Sequence, residues 1–202
     1  MNTSRIGILG GSFNPIHFGH IELAQKAHEQ YKLPLVLLMP TCKSYYKDSS
    51  DYAAPSHRLK MAELAAKECG SDYLKASSLD LDRGGYTYTC DTIEELSHSY
   101  DEIFFIVGSD SLMYIDKWKD SDVFLKKCVI LYGKRDGDTS DAITRQVDFL
   151  KKDFGVDIRE LHIKRHPISS SDIRKRITAG MSINEYIPES VASYIAENNL
   201  YR

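Results

Sequence analysis

Short apolar runs alternate with amphipathic stretches along this chain. Residues 6–9 form an apolar, β-branched run that ends in Gly10 and Gly11, which is typical of a buried strand followed by a tight turn. From about Phe18 the apolar positions take helical spacing. Residues 35–39 give a second apolar strand.

The alternation continues to the end of the chain. The pattern predicts helices at residues 56–69, 91–98, 140–154, 171–179 and 188–198, and strands at residues 74–82, 103–107, 129–132 and 158–163. Ser56 can cap the first of these helices through its hydroxyl group. The stretch 41–55 is polar, rich in tyrosine and without a period, so we expect a long loop there.

Strands that alternate with helices favour parallel pairing and right-handed crossovers. We therefore predict one Rossmann-like, doubly wound α/β domain of five or six strands that covers residues 1–202. The helices from about residue 168 onward are expected to pack on the same core. Open sheets of this kind bind ligands at the carboxyl ends of their strands, so the turns that follow the strands are the expected place of the chemistry.

Composition narrows the class of protein. The chain carries a net charge of −3, which argues against broad electrostatic binding of nucleic acid. No apolar run is long enough to cross a bilayer, and the first residues lack the apolar core of a secretory signal. The four cysteines, Cys42, Cys69, Cys90 and Cys128, are irregularly spaced and form no CxxC pair. This indicates reduced, mostly buried thiols in the cytoplasm.

The turn after the first strand carries the strongest chemical pattern, GGSFNPIHFGH. Gly10 and Gly11 let the main chain approach a ligand closely. His17 and His20 stand three residues apart at a helix start, so both rings can face one side. We expect unpaired main-chain N–H groups and the positive end of the helix dipole to point to the same place. Together these groups indicate a site for phosphate oxygens.

Other interpretations of this turn stay open. One histidine could cap the helix while the other packs against the protein. An HxxH pair can also bind zinc, but no cysteine or carboxylate stands nearby at ligand spacing. The P-loop pattern GxxxxGK[ST] and the dinucleotide fingerprint GxGxxG are both missing from the sequence.

A second anion pattern lies near the end of the chain, in residues 168–174, ISSSDIR. Three serines precede a helix that carries Arg174 and Arg176, and hydroxyl and N–H groups at a helix start bind anions. The alternative is an ordinary serine cap beside a solvated basic face. Because the order of strand, serines and helix repeats the order at the first turn, we favour contact with phosphate.

These two segments resemble the signatures of the nucleotidyltransferase superfamily, (T/H)xGH and ISSTxIR. Further stretches resemble the bacterial nicotinate mononucleotide adenylyltransferases: YTCDT at residues 88–92, GSD at 108–110, KW at 117–118 and the ending AENNLY at 196–201. The chain departs from that family at Asn14, where aspartate is frequent, and at Tyr46, which replaces a histidine of the loop motif PPHK. Lys47 matches the lysine of that motif.

The resemblance implies a reaction and a fold of nucleotidyltransferase type. AMP would pass from ATP to nicotinate mononucleotide, which gives nicotinate adenine dinucleotide and pyrophosphate in NAD biosynthesis. The 5′-phosphate of the acceptor is already an anion, so the reaction needs no general base and depends on positioning and electrostatics. Mg²⁺ would be carried by the ATP phosphates and not by a metal site of the protein. ATP and nicotinate mononucleotide are the expected partners, without nucleic acid or membrane, and a homo-oligomer is possible.

The resemblance also assigns residues. The implied catalytic residues are His17, His20, Lys47 and Arg174. The implied ATP site contains these histidines and this arginine together with Gly10, Gly11, Ser12, Phe13, Gly108, Asp110, Arg135, Ile168, Ser169 and Ser170. The implied nicotinate mononucleotide site contains Ser12, Phe13, Lys47, Tyr88, Thr89 and Trp118. In it the indole stacks on the pyridine ring, and Thr89 with nearby N–H groups receives the carboxylate.

Four rival functions remain at this stage. Sister enzymes transfer AMP or CMP to phosphopantetheine or glycerol phosphate, although their chains typically lack the segments around Thr89 and Trp118. Adenylyltransferases that use the amide acceptor are closer rivals. A nucleotide-binding module without activity could lose the histidines or Arg174, and a zinc-binding structural protein is the fourth possibility.

Overall fold

Six strands and the helices between them organise the chain, and a computed structural model describes residues 4–43, 52–68, 72–133, 140–163 and 168–202. The strands are β1 (Arg5–Gly11), β2 (Val36–Pro40), β3 (Leu74–Ala76), β4 (Glu102–Gly108), β5 (Val129–Gly133) and β6 (Ile158–Leu161). The helices are α1 (Phe18–Tyr31), α2 (Pro55–Glu68), α3 (Leu79–Arg83), α4 (Thr89–Ser97), α5 (Ser109–Leu112), α6 (Ser121–Phe124), α7 (Ser140–Phe149), α8 (Ser170–Thr178) and α9 (Glu189–Glu197).

All six strands are parallel neighbours in one sheet, in the order β3-β2-β1-β4-β5-β6. The chain first builds the half from β1 outward to β3, and then returns to the other side of β1 to begin the second half with β4. The strand order therefore reverses between β1 and β4, and a crevice opens at their carboxyl ends. The predicted doubly wound α/β fold is confirmed.

The sheet separates two apolar cores, because successive side chains of a strand point to opposite faces. In β1, Ile6 and Ile8 belong to the core that also contains Phe124 of α6. Leu9 belongs to the other core, which also contains Ile173 of α8. The C-terminal helices thus share a core with the first strand, which supports the interpretation of residues 1–202 as one domain.

Several predicted element bounds are wrong. The strand predicted at 74–82 ends at Ala76. The helix α3 follows and ends at Arg83, before Gly84, where φ is +69°. Asp80 and Arg83 form an i, i+3 ion pair of 2.9 Å on this helix, and such pairs favour helix over strand. Ser56 does not cap α2, because that helix already begins at Pro55, and proline is well tolerated in the first turn.

The other bounds differ less. The helix predicted at 140–154 is α7 followed by a π-helical turn at Leu150–Phe154, and the last strand ends at Leu161. The short helices α5 and α6 have no counterpart in the prediction, since four residues are too few to show a period. The described helices include none with the length and hydrophobicity that a bilayer crossing requires.

The expectation of mostly buried thiols is wrong for part of the set. Cys128 is buried, whereas Cys42 and Cys90 are only half-buried, and all three are free thiols. Cys69 lies outside the described residues. Burial raises the pKa of the Cys128 thiol to about 12, and burial together with the bond to Asp91 raises that of Cys90 to about 11. Both thiols are therefore protonated and weakly nucleophilic at neutral pH.

Two glycines at the ends of neighbouring strands provide a stability test. A Cβ atom on Gly133 would lie 2.2 Å from Cδ2 of Leu23, whereas a Cβ on Gly108 would meet nothing within 4 Å. We expect Gly133→Ala to lower the free energy of unfolding by about 1–3 kcal/mol, because it overpacks the core. Gly108→Ala should change it by less than about 0.5 kcal/mol. Denaturant unfolding of both variants checks this, and equal losses would contradict the packing.

Candidate active site

A cavity of about 440 Å³ lies at the switch point of the sheet. Six of the predicted site residues line it: Gly10, Gly11, Ser12, Thr89, Asp110 and Trp118. They come from the end of β1 and the residue after it, the start of α4, the start of α5 and the segment before α6. The turn predicted at Gly10 and Gly11 is wrong, because both glycines pair with β2 as part of the strand. Residues far apart in sequence therefore share one cavity, at the place that the strand order predicts for a ligand.

The rest of the wall contains residues that the sequence analysis did not single out. Its polar members are Thr41, Asp80, Thr87, Thr92 and Ser111, and its other members are Ile8, Met39, Phe105 and Tyr114. Single threonines and apolar strand residues carry no chemical pattern of their own. Only the position of some of them near the carboxyl ends of strands could have indicated that they line the cavity.

The two histidines of the first turn form a reciprocal cap of α1. The main-chain N–H of Gly19 donates to Nδ1 of His17 over 3.2 Å, and the N–H of His17 donates to Nδ1 of His20 over 3.2 Å. The two rings lie with their centroids 3.7 Å apart and their planes 35° from parallel. The expectation that both rings share one side of the helix start is confirmed.

These bonds set the protonation pattern of both rings. A ring nitrogen that accepts an N–H cannot carry a proton itself, so each neutral imidazole holds its proton on Nε2. Nε2–H is then the donor that each ring can present to an anion. The capping alternative for this turn is therefore correct in part, and it does not exclude the phosphate interpretation.

The expectation of unpaired main-chain N–H groups at the start of α1 is wrong. The N–H of Phe18 donates to the carbonyl of Tyr186 over 2.9 Å, and the N–H groups of Gly19 and His20 both donate to His17. The reciprocal cap leaves no first-turn donor for a ligand at these three positions. The predicted phosphate contact at this helix would therefore have to come from the imidazole groups.

Phe13 supports the histidine pair from inside the protein. Its side chain is fully buried, and its ring meets the ring of His20 edge-on at 5.1 Å. A Cβ on Gly11 would lie 3.1 Å from this ring, which would have to shift by a few tenths of an ångström to admit it. Since the Phe13 side chain lies in the core, its predicted contact with the nucleotides would have to come from its main chain, and that contact stays a prediction.

The start of α8 docks directly on the first turn. The hydroxyl of Ser170 donates to the carbonyl of Pro15 over 2.9 Å, and Nη1 of Arg174 donates to the carbonyl of Asn14 over 3.0 Å. Two helix beginnings that are separated by about 150 residues of sequence, at His17 and Ser169, thus meet in space. The remaining guanidinium N–H groups of Arg174 stand at this junction.

Ser169 serves as the cap of α8. Its hydroxyl oxygen accepts from the N–H of Asp172 over 3.1 Å, and the Asp172 carboxylate accepts from the Ser169 hydroxyl over 2.6 Å. The serine-cap alternative therefore holds for Ser169. No described residue accepts a hydrogen bond from the N–H groups of Ser170 and Ser171. These two main-chain groups are therefore the donors at the start of α8.

Asn14 joins three parts of the chain beneath the junction. Its side chain is fully buried, and Oδ1 accepts from the N–H of Ala53 over 2.9 Å and from the hydroxyl of Tyr201 over 2.8 Å. The Asn14–Pro15 peptide bond is cis. Tyr201, which the sequence indicated only as part of the family-like ending AENNLY, therefore contacts the first turn.

The remaining predicted residues lie in four different situations. Ile168 is buried in the apolar core, so only its main chain can reach a ligand. Tyr88 precedes α4, and its ring lies 4.3 Å from Nζ of Lys119. Gly108 ends β4 beside open space. Lys47 and Arg135 lie outside the described residues.

Trp118 packs against the core and also lines the cavity. Its ring packs edge-on against Phe105 at 6.1 Å and lies 6.3 Å from the ring of Phe124. It also lines the cavity and is half-buried. The packing holds the indole in place, and one part of its surface remains available to a ligand.

The buried carboxylate of Asp80 lies on the cavity wall and is held by two hydrogen bonds. Thr92 donates its hydroxyl to Asp80 over 2.6 Å, and Arg83 donates to the same carboxylate oxygen over 2.9 Å. Burial raises the pKa of Asp80, and the bonds from Thr92 and Arg83 oppose that rise. In the described ranges no cluster of three or more His, Cys, Asp or Glu side chains could hold a metal ion.

Comparison with known proteins identifies the family. A family model described as cytidylyltransferase-like matches residues 8–176. A nicotinate-nucleotide adenylyltransferase of Carboxydothermus hydrogenoformans is 37% identical, with 100% of each chain covered. One of Lachnoclostridium phytofermentans is 35% identical, with 98% of each covered. The chain belongs to the nicotinate-nucleotide adenylyltransferase family.

Solved structures agree on the fold. Plasmodium falciparum nicotinic acid mononucleotide adenylyltransferase complexed with NaAD has a TM-score of 0.76 at 22% identity, and the match covers 98% of this chain and 97% of that one. The same Plasmodium protein complexed with APC has a TM-score of 0.73 at 23% identity. The family fold thus extends over the whole sheet and its C-terminal helices.

The bond between Tyr201 and Asn14 generates a prediction about alkaline stability. Burial raises the pKa of the Tyr201 hydroxyl well above its ordinary value. The pKa of this hydroxyl is higher in the folded protein than in the unfolded chain. The stability that the neutral, buried hydroxyl contributes is therefore fully present below pH about 10 and is lost as the pH rises further. Tyr201→Phe should unfold about 0.5–1.5 kcal/mol more easily at pH 8. Its stability should then fall less steeply than that of the wild type above pH 10.

Urea unfolding at pH 8 and at pH 10.5 measures this difference. Tyr86→Phe, at an exposed position, is the control and should follow the wild type at both pH values. A Tyr201→Phe curve that runs parallel to the wild type across this range would contradict the buried hydrogen bond.

Proposed function

We propose that this protein transfers AMP from ATP to nicotinate mononucleotide and releases pyrophosphate, with nicotinate adenine dinucleotide as the product for NAD biosynthesis. The single observation that carries the proposal is the junction of the two helix beginnings, where Arg174 and Ser170 bond to the carbonyls of Asn14 and Pro15. This junction lies close in sequence to Gly10 and Gly11, which end β1 and line the cavity. Membership of the family supports the choice of substrates.

The chemistry joins two anions. A 5′-phosphate oxygen of nicotinate mononucleotide attacks the α-phosphorus of ATP, and the bond from that phosphorus to the β-phosphate oxygen breaks. No proton has to be removed from the nucleophile, so the site must align the reactants and stabilise the charge on the equatorial oxygens. In this proposal the two helix beginnings supply the donors to the phosphates, and the cavity lined by Thr89 and Trp118 holds the acceptor.

The histidine pair supplies donors at the α-phosphate. Each Nδ1 accepts a main-chain N–H, so the Nε2–H groups of His17 and His20 are held in fixed directions before ATP arrives. Preorganised donors of this kind need no reorganisation in the transition state. We assign His20 to the α-phosphate and His17 to the neighbouring phosphate oxygens.

The leaving pyrophosphate is assigned to the start of α8. The N–H groups of Ser170 and Ser171, the positive end of the helix dipole and the guanidinium of Arg174 all favour negative charge there. In this assignment the main chain of Ile168 and Ser169 contacts the phosphates as well. Lys47 is proposed as a second cation on the leaving group.

The acceptor occupies the cavity between β1 and α4. Trp118 would stack on the pyridine ring, and Thr89 with the N–H groups at the start of α4 would receive the ring carboxylate. The positive end of α4 favours an acid over a neutral amide at this place. Tyr88 and the main chain of Ser12 complete this part of the proposed site.

The ATP nucleoside takes the other side of the switch point. Gly10, Gly11 and the main chain of Phe13 would follow the nucleotide, and the open space at Gly108 fits close contact with it. Asp110 lines the cavity and suits the ribose hydroxyl groups. Arg135 would flank the adenine.

Mg²⁺ is the proposed cofactor, carried by the triphosphate with water ligands. When bound, Mg²⁺ would neutralise part of the phosphate charge. A cytoplasmic location and a homo-oligomeric state remain predictions.

An acceptor series tests the proposed reaction. The protein is given ATP and Mg²⁺ with nicotinate mononucleotide, its amide or phosphopantetheine, and both pyrophosphate and the joined nucleotide are measured. We expect kcat/KM for the acid to exceed that for the amide by at least about tenfold, the effect of one or two polar contacts. Equal use of the amide contradicts the acid assignment, and transfer to phosphopantetheine alone contradicts the reaction.

The role of His20 is tested by His20→Ala. Loss of one preorganised donor to the transition state should lower kcat by about 10²–10³-fold. His98→Ala, at an exposed histidine, is the control and should keep wild-type turnover. Circular dichroism checks that both variants fold, and wild-type kcat in folded His20→Ala would contradict the assignment.

A further inference from the structure

Arg58 is a buried cation that the proposed mechanism does not use. Only 2% of its surface is exposed, and it lies on the core-facing side of α2, in line with Met61, Ala62 and Ala65. Burial lowers the pKa of Arg58, yet a guanidinium keeps its proton at neutral pH. A desolvated charge is costly unless hydrogen bonds compensate for it.

The compensation comes from main-chain carbonyls of three separate segments. Nη1 donates to the carbonyl of Ser12 over 2.8 Å, Nη2 to that of Cys42 over 3.0 Å, and Nε to that of Ala53 over 3.0 Å. Among the described residues, all hydrogen-bond acceptors of Arg58 are carbonyls of this kind. A fork of planar N–H donors thus fixes three points of the chain relative to one another.

Each of the three residues whose carbonyls accept from Arg58 is connected to the proposed site. Ser12 lines the cavity in the turn after β1. The N–H of Cys42 donates to the Thr87 hydroxyl over 2.8 Å, and Thr87 lines the opposite part of the cavity. The N–H of Ala53 donates to Asn14 Oδ1, whose own main-chain carbonyl accepts from Arg174. The Arg58 guanidinium therefore connects Ser12, in the turn after β1, with the segments that contain Cys42 and Ala53.

We propose that Arg58 is a positioning residue of this enzyme, which acts through geometry and not through its charge. Its three bonds set the distance between the phosphate-binding turn and the wall that holds the acceptor. This inference rests on the proposed function for the identity of the acceptor, but not for the binding of ATP. A lysine ammonium keeps the charge on a single atom and cannot reproduce the fork.

The test compares Arg58→Lys and Arg58→Gln with the wild type, at a temperature well below the melting temperature of each protein. Lys60→Gln removes a positive charge from an exposed position of the same helix and is the matched control. For both Arg58 variants we expect kcat/KM to fall about 10²-fold, since misplacement by about 1 Å costs that much. The melting-temperature rise that ATP produces should shrink as well, whereas Lys60→Gln keeps both values.

The possible results distinguish a geometric role of Arg58 from a role of its charge and from a purely structural role. Near wild-type kcat/KM in Arg58→Lys, with a loss only in Arg58→Gln, overturns the geometric role in favour of charge. A lowered melting temperature with unchanged kcat/KM in both variants overturns it in favour of a purely structural role. If Arg58→Gln does not fold, Arg58→Lys decides alone.

The two proposals fail separately in this design. If the wild type forms no dinucleotide from nicotinate mononucleotide, the proposed function fails. The inference about Arg58 is then judged by the melting-temperature rise with ATP alone, which must still shrink in Arg58→Lys. An undiminished rise would overturn the inference whatever the acceptor is.

Discussion

The contact between α8 and the first turn is the constraint on which the site depends. The turn at Asn14 and Pro15 is irregular, so its carbonyls cannot enter the sheet ladder, and buried carbonyls require partners. Ser170 and Arg174 provide them. The same two bonds that satisfy the turn hold the start of α8 beside the histidine pair. A local demand of main-chain hydrogen bonding therefore brings two distant segments together at the place proposed for the triphosphate.

The two helix beginnings contribute different chemistry to that site. At α1 the first-turn N–H groups are used within the protein, and the ring nitrogens that accept them orient the imidazoles. At α8 the N–H groups of Ser170 and Ser171 remain as main-chain donors, and Ser169 serves as the cap. One helix thus presents side-chain donors and the other presents its main chain and dipole. Fixed donors of both kinds suit a reaction in which phosphate charge moves and no proton is transferred.

The sequence predicted the parts of the structure that follow from local pattern. The apolar runs at 6–9 and 103–107 became the central strands β1 and β4, and the spacing of His17 and His20 correctly indicated adjacent rings. Long-range hydrogen bonds had no such signal, since nothing local connects Tyr201 with Asn14. Arg58 had a weak one, because a charged residue on the apolar stripe of a helix requires buried acceptors. The burial of the Phe13 ring also had no local signal, because a residue in a turn can direct its ring either outward or into the core.

The central claim is that one triphosphate is held by both helix beginnings at once. A crystal structure with Mg²⁺ and a non-hydrolysable ATP analogue measures this directly. The account predicts phosphate oxygens within hydrogen-bond distance of Nε2 of His20 and also of the Ser170 N–H or the Arg174 guanidinium. A triphosphate that contacts only one of the two helix starts, with the other facing solvent, would contradict it.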